Sequence, residues 1–427
     1  MTEKKTPKHW QIKKLSEVCD LQNGFAFKSS DYVEKSETLI FRMSQIRPGG
    51  GLDLNHNSKY LPDNFVEKHK NYLLNDGDVV IAMTDMATET KILGLPTYFK
   101  SDGRKFLLNQ RVGKLFDFNT KEIEVKYLRY ILSSPDVIQY YKSFGKGALQ
   151  INLGKSDILN AEIPIPPLET QQAIVSKIEE LFSELDKGIE DLKTAQQQLK
   201  TYRQSVLKWA FEGKLTNENV KEGQLPEGWE SKKLGELGKW KGGGTPSKQN
   251  KSFWENGTNL WVSSKDMKFK TINDSIDKIT DEAIVKSSAK IISKGAILFV
   301  MRSGILRHTL PVAIANKDLT VNQDLQSVEP YDFIDSEYLY WFVVGQNQKI
   351  RQECSKDGTT VESIDTTSLK KFPIQIAPLK EQHLIVQEIE SRLSVADKME
   401  ESIAQSLQQA EALRQSILKK AFSGELV

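Results

Sequence analysis

The chain has 427 residues, with 59 Lys plus Arg against 57 Asp plus Glu, a net charge of +2, 38% hydrophobic and 9% aromatic residues. That composition can build several cores, and it excludes a wholly disordered or collagen-like polymer. A charge so near zero argues against a basic tail that coats nucleic acid by bulk electrostatics, but not against local basic faces.

The segment Met1–Trp10 is charged and has no apolar core, so no secretory signal is expected. Two distant cysteines, Cys19 and Cys354, do not make a disulfide framework. The five histidines have no zinc-ligand spacing. Apolar runs such as Ala296–Met301 are far shorter than the ~20 residues of a membrane helix. The expectation is a soluble cytoplasmic protein with no membrane contact.

The chain is written twice. Trp10, Lys13, Lys14, Leu15 and Glu17 recur as Trp229, Lys232, Lys233, Leu234 and Glu236. Gly77–Met83 is echoed by Gly295–Met301, Asn109-Gln110 by Asn322-Gln323, and Tyr127-Leu128 by Tyr338-Leu339. Arg203–Leu215 matches Arg414–Leu426 at 9 of 13 positions. Each copy opens with a mixed part whose apolar runs, Gly77–Met83 and Gly295–Met301, read as buried strands. Each closes on a long proline-free helix behind Pro167 or Pro378, with Gly213 or Gly424 at the C-cap.

In the first helix Ile178, Leu185, Leu192, Leu199 and Val206 recur every seven residues; Ile389, Ala396, Ile403, Ala410 and Ile417 hold the same stripe in the second. An alternate seam runs through Ile174, Leu181, Gly188, Ala195, Tyr202 and Trp209. Its counterpart, Ile385, Arg392, Met399, Ser406, Leu413 and Lys420, is weaker. The unbroken stripe predicts that the two helices pack on each other as an antiparallel coiled coil. The expected fold is α+β: two mixed α/β domains at 1–166 and 229–376, long helices at 167–215 and 377–427, a linker at 216–228, and a pseudo-twofold internal repeat.

Catalytic motifs are missing from the sequence. Gly154-Lys155-Ser156 resembles the end of a phosphate loop, but Leu149 stands where the first glycine belongs. Pro166-Pro167-Leu168 follows Ile165, without the Asn that would accept a target amine. Lys241–Ser247 lacks dinucleotide spacing. A binding constellation remains. Residues 231–294 carry 13 Lys against 7 Asp plus Glu. Lysine fixes position on phosphates, whereas Arg, Asn and Gln read base edges.

Such residues follow the apolar strands repeatedly. In the first domain the candidate DNA contacts are Lys28, Arg42, Gln45, Arg47, Thr84, Asp85, Asn109, Gln110, Arg111, Lys146, Gln150 and Asn152. In the second they are Lys241, Thr245, Ser247, Lys248, Lys265, Arg302, Ser303, Arg307, Asn322 and Gln323. Trp254 and Trp261 are expected in the core. No catalytic or metal-ligating residue is assigned.

With these residues in view, the chain resembles the specificity (S) subunit of type I restriction–modification systems, over essentially its whole length. Asn23–Ser29 and Gly243–Ser247 with Trp254 and Trp261-Val262 resemble two common openings of the family's target recognition domains. Pro167-Leu168-Glu169 with Gln171, and Pro378–Gln382, resemble its helix starts; Arg203–Leu215 and Arg414–Leu426 resemble its helix ends. Thr170 departs from its counterpart Glu381, which bears on partner contacts rather than DNA.

The resemblance implies a non-catalytic subunit. Each recognition domain reads one half of a bipartite asymmetric site on double-stranded DNA, and the helices set the spacing. Two modification subunits bind S-adenosylmethionine and methylate adenine N6. Two restriction subunits supply ATP- and Mg-dependent translocation and cleavage. No cofactor is expected on this chain, and the host compartment would be a bacterial or archaeal cytoplasm. The alternative is a coiled-coil interaction scaffold that reads no sequence.

Overall fold

The computed structural model describes residues 7–87, 90–145, 149–217, 220–221, 223–356 and 361–427. The chain divides into two compact units: Met1–Lys193 with Ala404–Val427, and Thr194–Ile403. Each unit therefore holds one mixed domain, the first half of its own long helix and the last half of the other. The sequence assigned each helix whole to a segment of its own; the packing shares each between units.

The two mixed domains follow one plan. The first has an antiparallel sheet in the order Asp20–Asn23, Val112–Phe116, Val79–Ala82, Pro96–Tyr98. Beside it lie Tyr60–Leu61, Thr38–Phe41 and Lys105–Leu108, the last two parallel. The second domain repeats both. Gly238–Gly242, Leu325–Pro330, Ile297–Val300 and Val312–Ala315 form its larger sheet, with Thr271–Ile272 added at the edge. Asp277–Ile279, Asn259–Val262 and Thr320–Val321 form the smaller. Val79–Ala82 and Ile297–Val300 are buried along their whole length, as expected for apolar runs inside a sheet. A closing ladder, Gln11–Lys14 with Glu162–Ile165 or Glu230–Lys233 with Pro373–Ile376, brings each domain's two ends together at the helix start.

The helices span Leu168–Phe211 and Leu379–Ser423. A buried glutamine fixes each start. Gln171 donates to the Glu122 and Pro166 carbonyls (2.7 and 2.8 Å) and accepts from the Glu124 amide (2.9 Å). Gln382 donates to the Phe333 and Ala377 carbonyls (3.0 and 2.8 Å) and accepts from the Asp335 amide (2.8 Å). Both side chains are fully buried, and all their amide atoms serve backbone groups that would otherwise lack partners. The hydroxyls of Tyr127 and Tyr338 likewise donate to Pro164 and Gln375 carbonyls, both at 2.8 Å.

At the other end Gly213 and Gly424 have φ of 75° and 77°. A Cβ there would come within 2.2 Å of Pro226 or 2.3 Å of Pro7, so only glycine fits both the left-handed backbone and the space. The helix ends are anchored by aromatic contacts. Phe422 meets Tyr127 edge-on at 5.4 Å, and Phe211 meets Tyr338 and Phe342 at 5.2 Å each.

All ten residues of the predicted stripe are buried or half-buried. In the second unit Thr216 pairs with Glu381 while Arg203 pairs with Asp397 and Glu400, so partners fall on one helix as they rise on the other. The two helices pack antiparallel there. In the first unit Arg414 pairs with Asp186 and lies 4.4 Å over the Phe182 ring. The alternate seam behaves differently. Gly188, Tyr202, Trp209, Met399, Leu413 and Lys420 are exposed. Ile174 and Ile385, near the helix starts, are buried because each domain's own core covers them.

Candidate nucleic-acid interface

The parallel strands determine where the polar loops emerge. Phe41 is in register with Leu108, and the Asn109 amide donates to the Phe41 carbonyl at 3.0 Å. Arg42 and Asn109 therefore leave the sheet side by side. Val262 is in register with Val321, and the Asn322 amide donates to Val262 at 2.9 Å. Ser263 and Asn322 form the same edge in the second domain. The larger sheet adds its own strand ends: the Met83 amide donates to Arg111 (3.0 Å), and the Met301 amide donates to Asp324 (2.8 Å). Thr84 and Arg302 thus join the two edges.

The opening loops close against these tips. A Cβ on Gly24 would fall 2.1 Å from the Asn109 carbonyl oxygen, and one on Gly243 would fall 1.8 Å from that of Asn322. Both glycines are required by close backbone approach. Thr245 donates its hydroxyl to Gln323. Trp261 is buried and donates to the Gly244 carbonyl (3.0 Å), and Trp254 donates to Ser247 (3.1 Å). The two tryptophans hold the second opening loop from below.

The first edge thus gathers Arg42, Thr84, Asn109, Gln110, Arg111 and Asn152, with Gln150 paired to Met86 in the adjoining ladder. Thr84 donates to Asn152 at 3.0 Å. Gln110 and Arg111 are exposed, and among the described residues the Arg42 guanidinium reaches only the Asn57 carbonyl, at 3.3 Å. The second edge gathers Thr245, Arg302, Ser303, Asn322 and Gln323. Arg302 is exposed, and its guanidinium meets no partner among the described residues. Ser303 accepts the Ile305 amide, and Asn322 braces Asp324 (3.1 and 3.3 Å). Lys28, Ser247, Lys248 and Lys265 are exposed around the edges. Lys146 lies outside the described residues.

Other candidates serve the fold. Gln45 is fully buried; its amide accepts from the Arg42 amide (2.9 Å) and donates to the Leu54 carbonyl (2.8 Å). Asp85 is buried and accepts from the Met86, Lys91, Ile92 and Leu93 amides between 2.6 and 3.1 Å. Neither has an atom left to offer a base. Lys241 sits within a strand and pairs with Glu329 at 2.6 Å. Burial raises the affinity of Glu329 for a proton, yet bonds from Lys241 and Ser293 hold it below the usual carboxylate range. Arg47 pairs with Asp53 (2.7 Å), and Arg307 with Glu362.

Two edge residues were not found from sequence. Ser263 occupies the place of Arg42, and Ser363 forms a backbone bridge with Arg302 while its buried hydroxyl has no partner among the described residues. Asp266 matches Gln45. It accepts from the Ser263 amide (2.8 Å) three residues back, as Gln45 does from Arg42. Aligning the two copies at this turn is the signal that exposes Ser263.

Among the described residues no group of three or more His, Cys, Asp or Glu could hold a metal ion, and no helix is long and apolar enough to cross a membrane. Burial pushes the Cys19 thiol up to about 12 and the Cys354 thiol up to about 11. Both stay protonated near neutrality.

The comparisons with known proteins agree with this duplicated plan. The family described as "Type I restriction modification DNA specificity domain" matches residues 7–194 and again 226–411. The EcoR124I/EcoR124II specificity subunit of Escherichia coli is 34% identical over 267 residues, which cover 61% of this chain and 61% of that relative. The EcoKI specificity subunit of Escherichia coli K12 is 25% identical over 454 residues, covering 100% of this chain and 91% of the relative.

Two solved structures share the fold. The HsdS subunit of Thermoanaerobacter tengcongensis has a TM-score of 0.59 at 20% identity, covering 98% of each chain. A chain from work on complex assembly and conformational transition of the type I R-M system has 0.69 at 19%, covering 98% of this chain and 99% of that one. With both copies of its repeat matched in order, the chain belongs to the HsdS family, the specificity subunits of type I restriction–modification systems.

Proposed function

We propose that this chain is the non-catalytic, DNA-reading subunit of its complex, and that each strand-end edge reads one half of a bipartite asymmetric site. One observation carries the reading. The two domains build the same edge from the same backbone bonds, but furnish it with different side chains: Arg42 against Ser263, Thr84 against Arg302. A shared frame with divergent tips is what two unlike half-sites require. Arg and Asn at such tips suit guanine and adenine edges in the major groove. The exposed lysines Lys28, Lys248 and Lys265 suit phosphates.

In this reading the long helices act as an antiparallel coiled coil that sets the spacing and docks two modification subunits. S-adenosylmethionine, ATP and Mg belong to the modification and restriction partners, and the complex acts on double-stranded DNA in the cytoplasm. Reconstitution with the modification subunits tests it: methylated positions mapped over a random DNA library should give one asymmetric motif with two halves and a fixed gap. Methylation without sequence preference, or a motif of one half only, would overturn the proposal.

A further inference from the structure

Of two facing positions on the helices, one differs between the copies in charge but not in place and the other is the same. Lys126 corresponds to Glu337 and Glu179 to Glu390, both at the offset of 211 residues that relates Tyr127 to Tyr338 and Gln171 to Gln382. In the first unit the domain's short helix, Val125–Leu132, puts Lys126 against Glu179 of the long helix at 3.0 Å. The pair is direct. In the second unit the same two positions are both acidic, and two facing carboxylates repel.

A third residue resolves this. Lys270 pairs with Glu337 and with Glu390 together. Its ammonium also lies over the rings of Tyr340 (5.7 Å) and Trp341 (5.2 Å). Burial acts to neutralise it, but the two carboxylates hold it charged, above the usual lysine range.

Lys270 belongs to neither helix. It ends the segment that leaves the candidate reading edge at Ser263, and it precedes the added strand Thr271–Ile272. Asp266 stiffens that segment, accepting from Ser263 and from the Ile276 amide at 2.8 Å. The Lys270 carbonyl accepts from Ile314 at 2.8 Å, which ties it to the larger sheet. A short, braced stretch therefore runs from the edge to the long helix and is locked there by charge.

We propose that Lys270 is a positioning residue that locks the segment running from Ser263 in the second recognition domain to Glu390 of the second long helix, and so fixes where that domain's reading edge stands on the helical frame. This rests on the DNA-specificity reading above. Its consequence is separable from base reading: a loosened lock should blur the spacing between half-sites and leave each half's sequence preference intact.

The test uses the full chain in complex with its modification subunits. Initial methylation rates are measured on duplexes carrying the intact site with its native gap, or with the gap one base pair longer or shorter. Lys270→Ala should reduce discrimination against the altered gaps by about tenfold, the scale of one modest contact. Base preference within each half should not change. The double variant Lys270→Ala with Glu337→Lys rebuilds the helix-to-helix pair of Lys126 with Glu179 but leaves the segment from Ser263 untied, so its gap discrimination should stay as low as that of Lys270→Ala. Native discrimination in Lys270→Ala, or recovery in the double variant, would overturn the inference. Should Lys270→Ala fail to assemble, the double variant, whose facing carboxylates are relieved, decides alone: assembly with reduced gap discrimination supports the lock, and native discrimination or failure to assemble sinks it. Absence of sequence preference in the unaltered complex would instead remove the reading on which the inference rests.

Discussion

The helix starts and the strand-end edges respond to duplication in opposite ways. At the starts the two copies agree atom for atom. Gln171 and Gln382 serve equivalent backbone groups, Tyr127 and Tyr338 close equivalent carbonyls, and Glu124 and Asp335 cap equivalent helices. At the edges the backbone bonds and the Asn-Gln pair agree, while Arg42 and the buried Thr84 stand where Ser263 and the exposed Arg302 do. Buried polar groups have one way to be satisfied in a given frame, so they resist change. Exposed tips have no such constraint, and divergence there points to different ligands.

The strongest way to break this comparison is at the helix start. Gln382→Leu strands two carbonyls and one amide in the interior, and each unsatisfied group costs about 1–3 kcal/mol. A total loss of about 3–5 kcal/mol is expected in denaturant unfolding. Gln171→Leu should cost a similar amount, because its three bonds are equivalent. A loss below about 1 kcal/mol at either glutamine would mean that the shared frame is not held there.

Much of that frame was legible in the sequence. The heptad stripe from Ile178 to Val206 announced long helices because an apolar seven-residue period needs an apolar partner. The alternate seam was misleading for a physical reason. Tyr202, Trp209 and Met399 keep the period, but the packing within the chain covers one stripe and leaves them exposed. The edges were legible as polar residues following buried strands. Their roles were not: Gln45 and Asp85 look like readers until their partners at Leu54 and Leu93 are known, and those contacts have no local signature. Lys270 was silent for the same reason, since its meaning depends on Glu337 and Glu390 far along the chain.

A smaller effect sharpens the comparison at the edges. Arg302→Ala removes an exposed guanidinium from the second edge without disturbing an internal bond. The expected result is about 1–3 kcal/mol less discrimination at one position of one half-site, with the other half unchanged. Parallel methylation profiles of the variant and the parent would read it. Equal weakening at both halves would identify a phosphate contact instead.

The smallest expected effect lies where the frame itself departs from symmetry. Glu381 accepts from Thr216 (2.8 Å), Asn217 (2.8 Å) and the Trp229 indole (3.1 Å), which ties the start of the linker to the second helix. In the other copy Thr170 replaces Glu381, and Val427 stands where Thr216 does, so that threonine-to-carboxylate bond has no counterpart. The acid therefore serves the linker within this chain. The site is half-buried, and solvent takes over part of what the carboxylate supplies, so Glu381→Ala should cost about 1 kcal/mol. Its clearer mark should be faster proteolytic nicking within 216–228, because a segment freed at one anchor opens more often. Methylation specificity should be unchanged. A shift in half-site preference would show that the helix start and the edge are coupled, and that the division between frame and tip is drawn too sharply.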